Sequence, residues 1–528
     1  MTEPIRRPPP ARRPRRLAKL LLASCTLLFC AVVGEGVLRI TGGYRLFAPR
    51  LEPVRSASDP ETVLAMAHDV VEPFTAHWRA ARPDLDIAWL ETSPPPPPAP
   101  PRLELPLLPQ RDWLLNYYVV NEVLLRSPLA KKLMQAPNLT LPDEFTVFEP
   151  PGRKTAPHYR YPASRTLPTG LMTNQFGFRG REIDCDKPDR TVRIAFVGAS
   201  TTVEAHQLPH TVADLVEHWL GRWAQARGLD VRFETINAAR EAIKSPDIRA
   251  IVTDEVMPLA IDYLVYYEGA NQFQPDGLAQ HVAIEGDYVL ASPPPGVVGN
   301  YDEVQNADSS WLDGIATWSA AARYLRGALA GSKRLAEPEK PAQHLTLSPE
   351  ILDPNTAFPL ERAADVLECG VIAADLDAIR KVVEGGGARL VVSTFWWFAQ
   401  DGMLLDPVWA ANVHVHLNRA YWPFRYSTIR ALADLQNRFF VAWAAARGVD
   451  LIDVGGELPQ HEQLAIDAIH HNQIGVRLKA WIMFAALTRF LERDLEAGRL
   501  PVPDPEPTPH HPNIGPTKQV PRAQILGH

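Results

Sequence analysis

From Arg193 onward the chain alternates short apolar runs with segments of helical period, and this alternation restricts the fold more than any other feature. The runs lie at residues 193 to 197, 231 to 236, 261 to 267, 389 to 395 and 449 to 453, and are rich in Val, Ile, Leu and aromatic residues. Between them stand segments such as TVADLVEHWLGRWAQAR and ALADLQNRFFVAWAAAR. Strands that are apolar on both faces and separated by helices predict a parallel sheet covered on both sides, an α/β three-layer sandwich. In such sheets ligands bind beyond the carboxyl ends of the strands.

Several chemically capable residues fall just past those ends. RIAFVGASTT delivers the hydroxyl of Ser200 after a buried strand, and IDYLVYYEGANQF ends another strand on Gly269 and Asn271, which can supply amide donors to a developing oxyanion. DAIHHNQIGVRLKAWIMFAAL puts Asp467 three residues before His470 at the mouth of an amphipathic helix. A serine, an imidazole and a carboxylate are the parts of an acyl-transfer triad. Each also has a plainer reading: Ser200 with Thr201 as a helix cap, Asn271 as a turn former, His471 as a surface neighbour of His470, and Glu268 as a solvated charge at a strand end. Trp396, Trp397 and Phe398 could stack on a sugar ring or pack the core. Asn174, Gly177 and Gly180, in the stretch before the first strand, read as turn residues.

The N-terminus bears on compartment. Arg6, Arg7, Arg12, Arg13, Arg15, Arg16 and Lys19 precede an uncharged apolar run from Leu20 to Gly34. With Lys19 snorkelling and Glu35 near the far interface, Leu17 to Leu38 is long enough to span a bilayer. Because basic flanks stay cytoplasmic, the expectation is a signal anchor over 17–40 behind a basic tail (1–16), with the bulk of the chain extracytoplasmic. A lipoprotein box ending at Cys25 and a cleaved signal peptide are the rival readings. Of the other cysteines, Cys30 lies in the same apolar segment, while Cys185 and Cys369 could bridge in an oxidising compartment. No cysteine or histidine spacing suits a metal, no cofactor motif occurs, and a net charge of -7 over 528 residues gives no support to nucleic-acid binding.

Prolines, 51 in all, bunch at the start, around residues 94 to 109 and in the last thirty residues. They suggest a Pro-rich membrane-proximal region (41–150), holding an apparent helix near 60 to 82, a polyproline II spacer or unstructured loop, and a second helical pattern, DWLLNYYVVNEVLL. A Pro-rich C-terminal tail (498–528) closes the chain, and the catalytic unit is expected over 151–497 with a helical insertion at about 275–365.

At the blocks around Ser200, Ala239, Asn271 and His470 the chain resembles the SGNH hydrolase superfamily, the GDSL esterases and lipases, in its membrane-anchored bacterial form. Gly198-Ala199-Ser200-Thr201-Thr202 is similar to that family's nucleophile block, INAAREAI to its second, Gly269-Ala270-Asn271-Gln272 to its third and Asp467-Ala468-Ile469-His470 to its last. The resemblance covers about residues 170 to 495 and implies a flavodoxin-like fold without cofactor. It implies Ser200 as nucleophile, His470 as base and Asp467 as its orienting carboxylate. The backbone amides of Ser200 and Ala239 and the side-chain amide of Asn271 would be oxyanion donors, with Gly198 and Gly269 as supporting loop residues. Ala239 departs from the family's glycine, and Gln272 from its aspartate. The expected function is an extracytoplasmic serine esterase or acyltransferase acting on a small acyl ester, with O-acetyl groups of an envelope or exported polysaccharide as one substrate. A catalytically silent glycan- or partner-binding module and a long-chain lipase are the alternatives.

Overall fold

The computed structural model describes mainly residues 67–95, 172–204, 209–273, 360–399 and 426–502, with shorter stretches at 28–37, 144–148, 156–166 and 511–524. Its centre is a five-stranded, wholly parallel sheet. The strands are β1 (Thr191–Gly198), β2 (Arg232–Asn237), β3 (Tyr263–Tyr267), β4 (Arg389–Ser393) and β5 (Asp450–Ile452), in spatial order 2-1-3-4-5. This is the doubly wound, flavodoxin-like order, whose switch point lies between β1 and β3.

The helices that cover it are α1 (Val212–Arg227), α2 (Ser245–Ile251), α3 (Cys369–Gly385), α4 (Tyr426–Arg447) and α5 (Gln473–Glu496). Side chains alternate across the pleat, so successive residues of β1 and β3 feed two different cores. Ile194, Phe196, Val265 and Tyr267 join Trp219 of α1 and Trp481 and Phe484 of α5 on one face. Ala195, Val197, Leu264 and Tyr266 join Ile248 of α2, Ile372 and Leu376 of α3 and Phe440 of α4 on the other. Local signals set the helix ends: Thr211 and Asp214 form a reciprocal capping box at the start of α1, and Gly228 closes it in the left-handed conformation.

Residues 67–95 belong to this body. A helix over His68–Ala81 and a short 3-10 turn over Ile87–Glu91 bury Val70, Phe74, Trp78, Trp89 and Leu90 in the same core as α1 and α5. The C-terminal Pro-rich segment also folds back in part, since Thr517–Pro521 pairs antiparallel with Glu144–Phe148. The proline run beyond Pro95, the second helical pattern at 112–125 and nearly all of the expected insertion lie outside the described residues.

Cys185 and Cys369 are both free thiols, so the bridge the sequence allowed is not formed; Cys185 instead sits 3.4 Å from His511 Nδ1. Among the described residues no helix is long and apolar enough to cross a membrane. Residues 28–37 of the expected anchor are helical, and most of its remainder lies outside the described residues.

Candidate active site

The carboxyl ends of β1, β2 and β3 meet at the switch point, and β1 ends on the turn that carries Ser200. Gly198 is required there: a side-chain carbon would collide with the Tyr267 carbonyl and the Thr202 hydroxyl, so only glycine lets β1 and β3 approach closely enough. The chain then enters a one-turn helix at Ser200. Thr202 Oγ1 donates to the Tyr267 carbonyl at 2.8 Å, and Asn237 Nδ2 donates to the Thr202 carbonyl at 3.0 Å, fixing the turn to both neighbouring strands.

His470 reaches this turn from the loop before α5. Its Nε2 lies 2.8 Å from Ser200 Oγ and its Nδ1 lies 2.8 Å from Asp467 Oδ2. Asp467 Oδ1 also accepts the backbone N–H groups of Ile469 and His470 at 2.9 and 2.8 Å, and His416 Nδ1 approaches it at 3.3 Å. Burial favours a neutral Asp467, but the imidazoles of His470 and His416 outweigh it and hold the carboxyl well below the usual carboxylate range. The ionised carboxylate therefore keeps the proton on His470 Nδ1 and leaves Nε2 to accept from Ser200. Burial also opposes the charged form of His470, yet the adjacent Asp467 prevails and raises the imidazole above its ordinary value.

The helix that follows is anchored to the Ser200 turn. Asn472 accepts the N–H groups of Ile474 and Gly475, capping α5 two residues after His470. One and a half turns on, buried Lys479 donates to the Thr201 carbonyl at 2.6 Å, pairs with Glu204 at 2.7 Å and lies 4.9 Å from the Tyr267 ring centroid. Glu204 in turn accepts the N–H of Val212 at the start of α1.

The expected oxyanion donors are less simply arranged. Asn271 lies beside the site on a 3-10 turn after β3, but its Nδ2 donates to the Ile243 carbonyl at 3.0 Å. The Ala239 amide lies 3.3 Å from Asn237 Oδ1. The Ala239 methyl is buried in the α2 and α3 core, which explains why alanine is tolerated in the place where the family has glycine. Gln272 is fully buried and supportive: its Oε1 accepts the Ser245 amide at 2.8 Å and its Nε2 donates to Glu368 at 2.9 Å, tying the loop to α2 and the residue before α3. Gly269 is as constrained as Gly198, because a side chain there would meet Gln436 Oε1 and the Phe395 ring.

Two readings need correction. Glu268 is not a solvated strand-end charge but is 1 % exposed, with its Oε1 accepting the Asn271 amide at 2.9 Å. His471 is not on the surface; it is buried with its ring 4.4 Å from that of Trp396. Of the two readings open for Trp396, Trp397 and Phe398, all three being buried selects core packing. His416 and Lys479 are residues of the site that the sequence did not single out. Lys479 falls within the His470 helix pattern, where it and Arg477 are the two cations on an otherwise apolar stretch. A cavity of about 810 Å³ opens beside the site along β2, lined by Arg179, His210, Glu217, His218 and Asn237 among others, and none of the triad residues lines it.

The chain thus resembles the SGNH hydrolase superfamily in strand order and in the strand ends that carry its blocks. No protein-family model matches the chain, and no curated protein matches it. Among solved structures it is similar to a GDSL-like lipase from Bacteroides thetaiotaomicron, at 9% identity over 57% of this chain and 88% of that one, with a TM-score of 0.26. It is similar also to a lipase/acylhydrolase from Enterococcus faecalis, at 13% identity over 57% and 96%, with a TM-score of 0.27. A catalytic mutant of an acetylxylan esterase from Geobacillus stearothermophilus gives 11% identity over 56% and 93%, with a TM-score of 0.28. These likenesses are distant, and the functional reading rests on the geometry of the site.

Proposed function

We propose that the chain is a serine esterase or acyltransferase of SGNH type that acts on a small acyl ester. The observation that carries this reading is the unbroken series from Asp467 through His470 to Ser200, with both steps at 2.8 Å. Ser200 Oγ attacks the ester carbonyl while His470 Nε2 takes its proton, and Asp467 stabilises the imidazolium that results. Collapse of the tetrahedral intermediate expels the alcohol, which receives that proton from His470, and leaves the acyl group on Ser200. Water or an acceptor hydroxyl, activated by the same imidazole, then releases it. The amides of Ser200 and Ala239 and the side chain of Asn271 are the candidate oxyanion donors. For Asn271, this requires its second N–H or release from the Ile243 carbonyl.

The proposed setting is extracytoplasmic, with residues 17–40 as the anchor; the basic flank and apolar run support it. That setting makes O-acetyl groups of an envelope or exported polysaccharide the favoured substrate. One observation favours the rival, a silent binding module: the engagement of Asn271 with Ile243. Activity separates the two. The full chain purified in detergent should hydrolyse p-nitrophenyl acetate, and Ser200→Ala should lower kcat by at least about 10³-fold with an unchanged melting temperature. Equal rates for the two proteins would leave only the binding module.

A further inference from the structure

Between the nucleophile turn and the Asn271 loop lies a carboxylate that the mechanism above does not use. Glu268 follows β3 directly and is 1 % exposed, yet no Lys or Arg is paired with it among the described residues. Its charge is met instead by backbone amides: the Asn271 N–H donates to Oε1 at 2.9 Å, and the Gly269 and Ala199 amides also act to lower its carboxyl. Ala199 is the residue before the nucleophile, and Asn271 is the candidate oxyanion donor. One side chain is therefore bonded to the Asn271 loop and faces the amide before Ser200, between the two loops whose relative position decides where an oxyanion would sit. Buried carboxylates are disfavoured unless hydrogen bonded, and an ionised acceptor draws backbone amides more strongly than a neutral one.

We infer that Glu268, in its ionised form, is a positioning residue for the proposed esterase reaction, holding the Ala199-Ser200 turn and the Asn271 loop in register. The inference rests on the esterase reading of the site. It makes the register dependent on protonation. Burial pushes the Glu268 carboxyl up to about 7, against the pull of its amide donors and of His470. The other titratable neighbours do not compete for that range. Tyr266 and Tyr267, on the preceding strand, have phenols raised far above it, first by burial. Lys479 is paired with Glu204 across the Tyr267 ring, and Asp375 acts on the same strand from α3. Glu268 and His470 would then both have to be deprotonated for turnover, and each affects the other, because the Glu268 charge helps to raise the His470 imidazole.

The test is the pH profile of kcat/KM for p-nitrophenyl acetate, measured on the full chain as wild type, Glu268→Gln and Glu268→Asp, alongside labelling of Ser200 by a fluorophosphonate. The wild-type acid limb should approach a slope of two on logarithmic axes. Glu268→Gln should lower kcat about tenfold or more with KM within about twofold, reduce the slope to one, and move the remaining midpoint down. Glu268→Asp retains a charge and should keep the steeper limb, so it carries the test if the Gln variant fails to fold. A wild-type limb of slope one, or variants with wild-type kcat and limb, would overturn the inference while Ser200 labelling leaves the esterase reading standing. Absence of both labelling and hydrolysis in the wild type would sink the esterase reading itself.

Discussion

The His470 step of the site's pH behaviour is set by two residues whose environments push them apart. Asp467 is held ionised by the imidazoles around it, and the same interaction raises His470. Because a general base must be neutral to accept a proton, activity should fall as pH drops through the raised value, so the acid limb should be centred above the ordinary imidazole value of about 6.5. Asp467→Asn removes the charge that does the raising, and with it the support for the correct tautomer. Its steady-state profile should show the His470 midpoint displaced downward and kcat reduced by roughly 10⁴-fold. A midpoint that stays in place would mean that Asp467 does not govern His470.

At the scale of elements, the hydrogen-bonded start of α5 couples stability to chemistry. Asn472 caps that helix through Ile474 and Gly475, each at 3.0 Å, and its Nδ2 donates to the Gln463 carbonyl at 2.6 Å. Asn472→Ala should cost about 1 kcal/mol, read as a lower urea midpoint at unchanged slope. It should also lower kcat severalfold, because His470 sits on the loop the cap holds. The strands were legible in the sequence because burial on both faces demands a nearly unbroken apolar run, as in RIAFVG. Ser200, His470 and Asp467 were legible because short spacings and strand ends bring them near one rim. Glu268 and His471 were misread because their burial depends on partners remote in sequence, the Ala199 amide and the Trp396 ring. No local pattern announces such a contact. His416 lies more than fifty positions from Asp467 and carries no motif at all.

Over the whole molecule, the same remoteness explains the segment before the sheet. Its helix at His68–Ala81 was legible near 60 to 82, but its partners lie some four hundred positions later. Arg82 donates to the Ala485 carbonyl and to Thr488, Arg477 donates to the Leu90 and Thr92 carbonyls at 2.6 and 2.8 Å, and the Trp89 ring lies 6.2 Å from that of Phe484. The segment is thus a wall of the α1 and α5 core, separate from the proposed anchor over 17–40. Val70, Phe74, Trp78, Leu85, Trp89 and Leu90 are all buried there, and at about 1.5 kcal/mol or more each their gross contribution approaches the net stability of a typical domain. Removing residues 1–40 should therefore release the protein from membranes in fractionation while leaving its melting temperature and its rate on a soluble ester unchanged. Removing residues 1–95 should expose the faces of α1 and α5 and give an aggregated or unfolded product by circular dichroism. If the longer deletion folds with the wild-type melting temperature, the packing of residues 67–95 contributes nothing to the core. If the shorter deletion fractionates with the membrane as before, the anchor lies elsewhere.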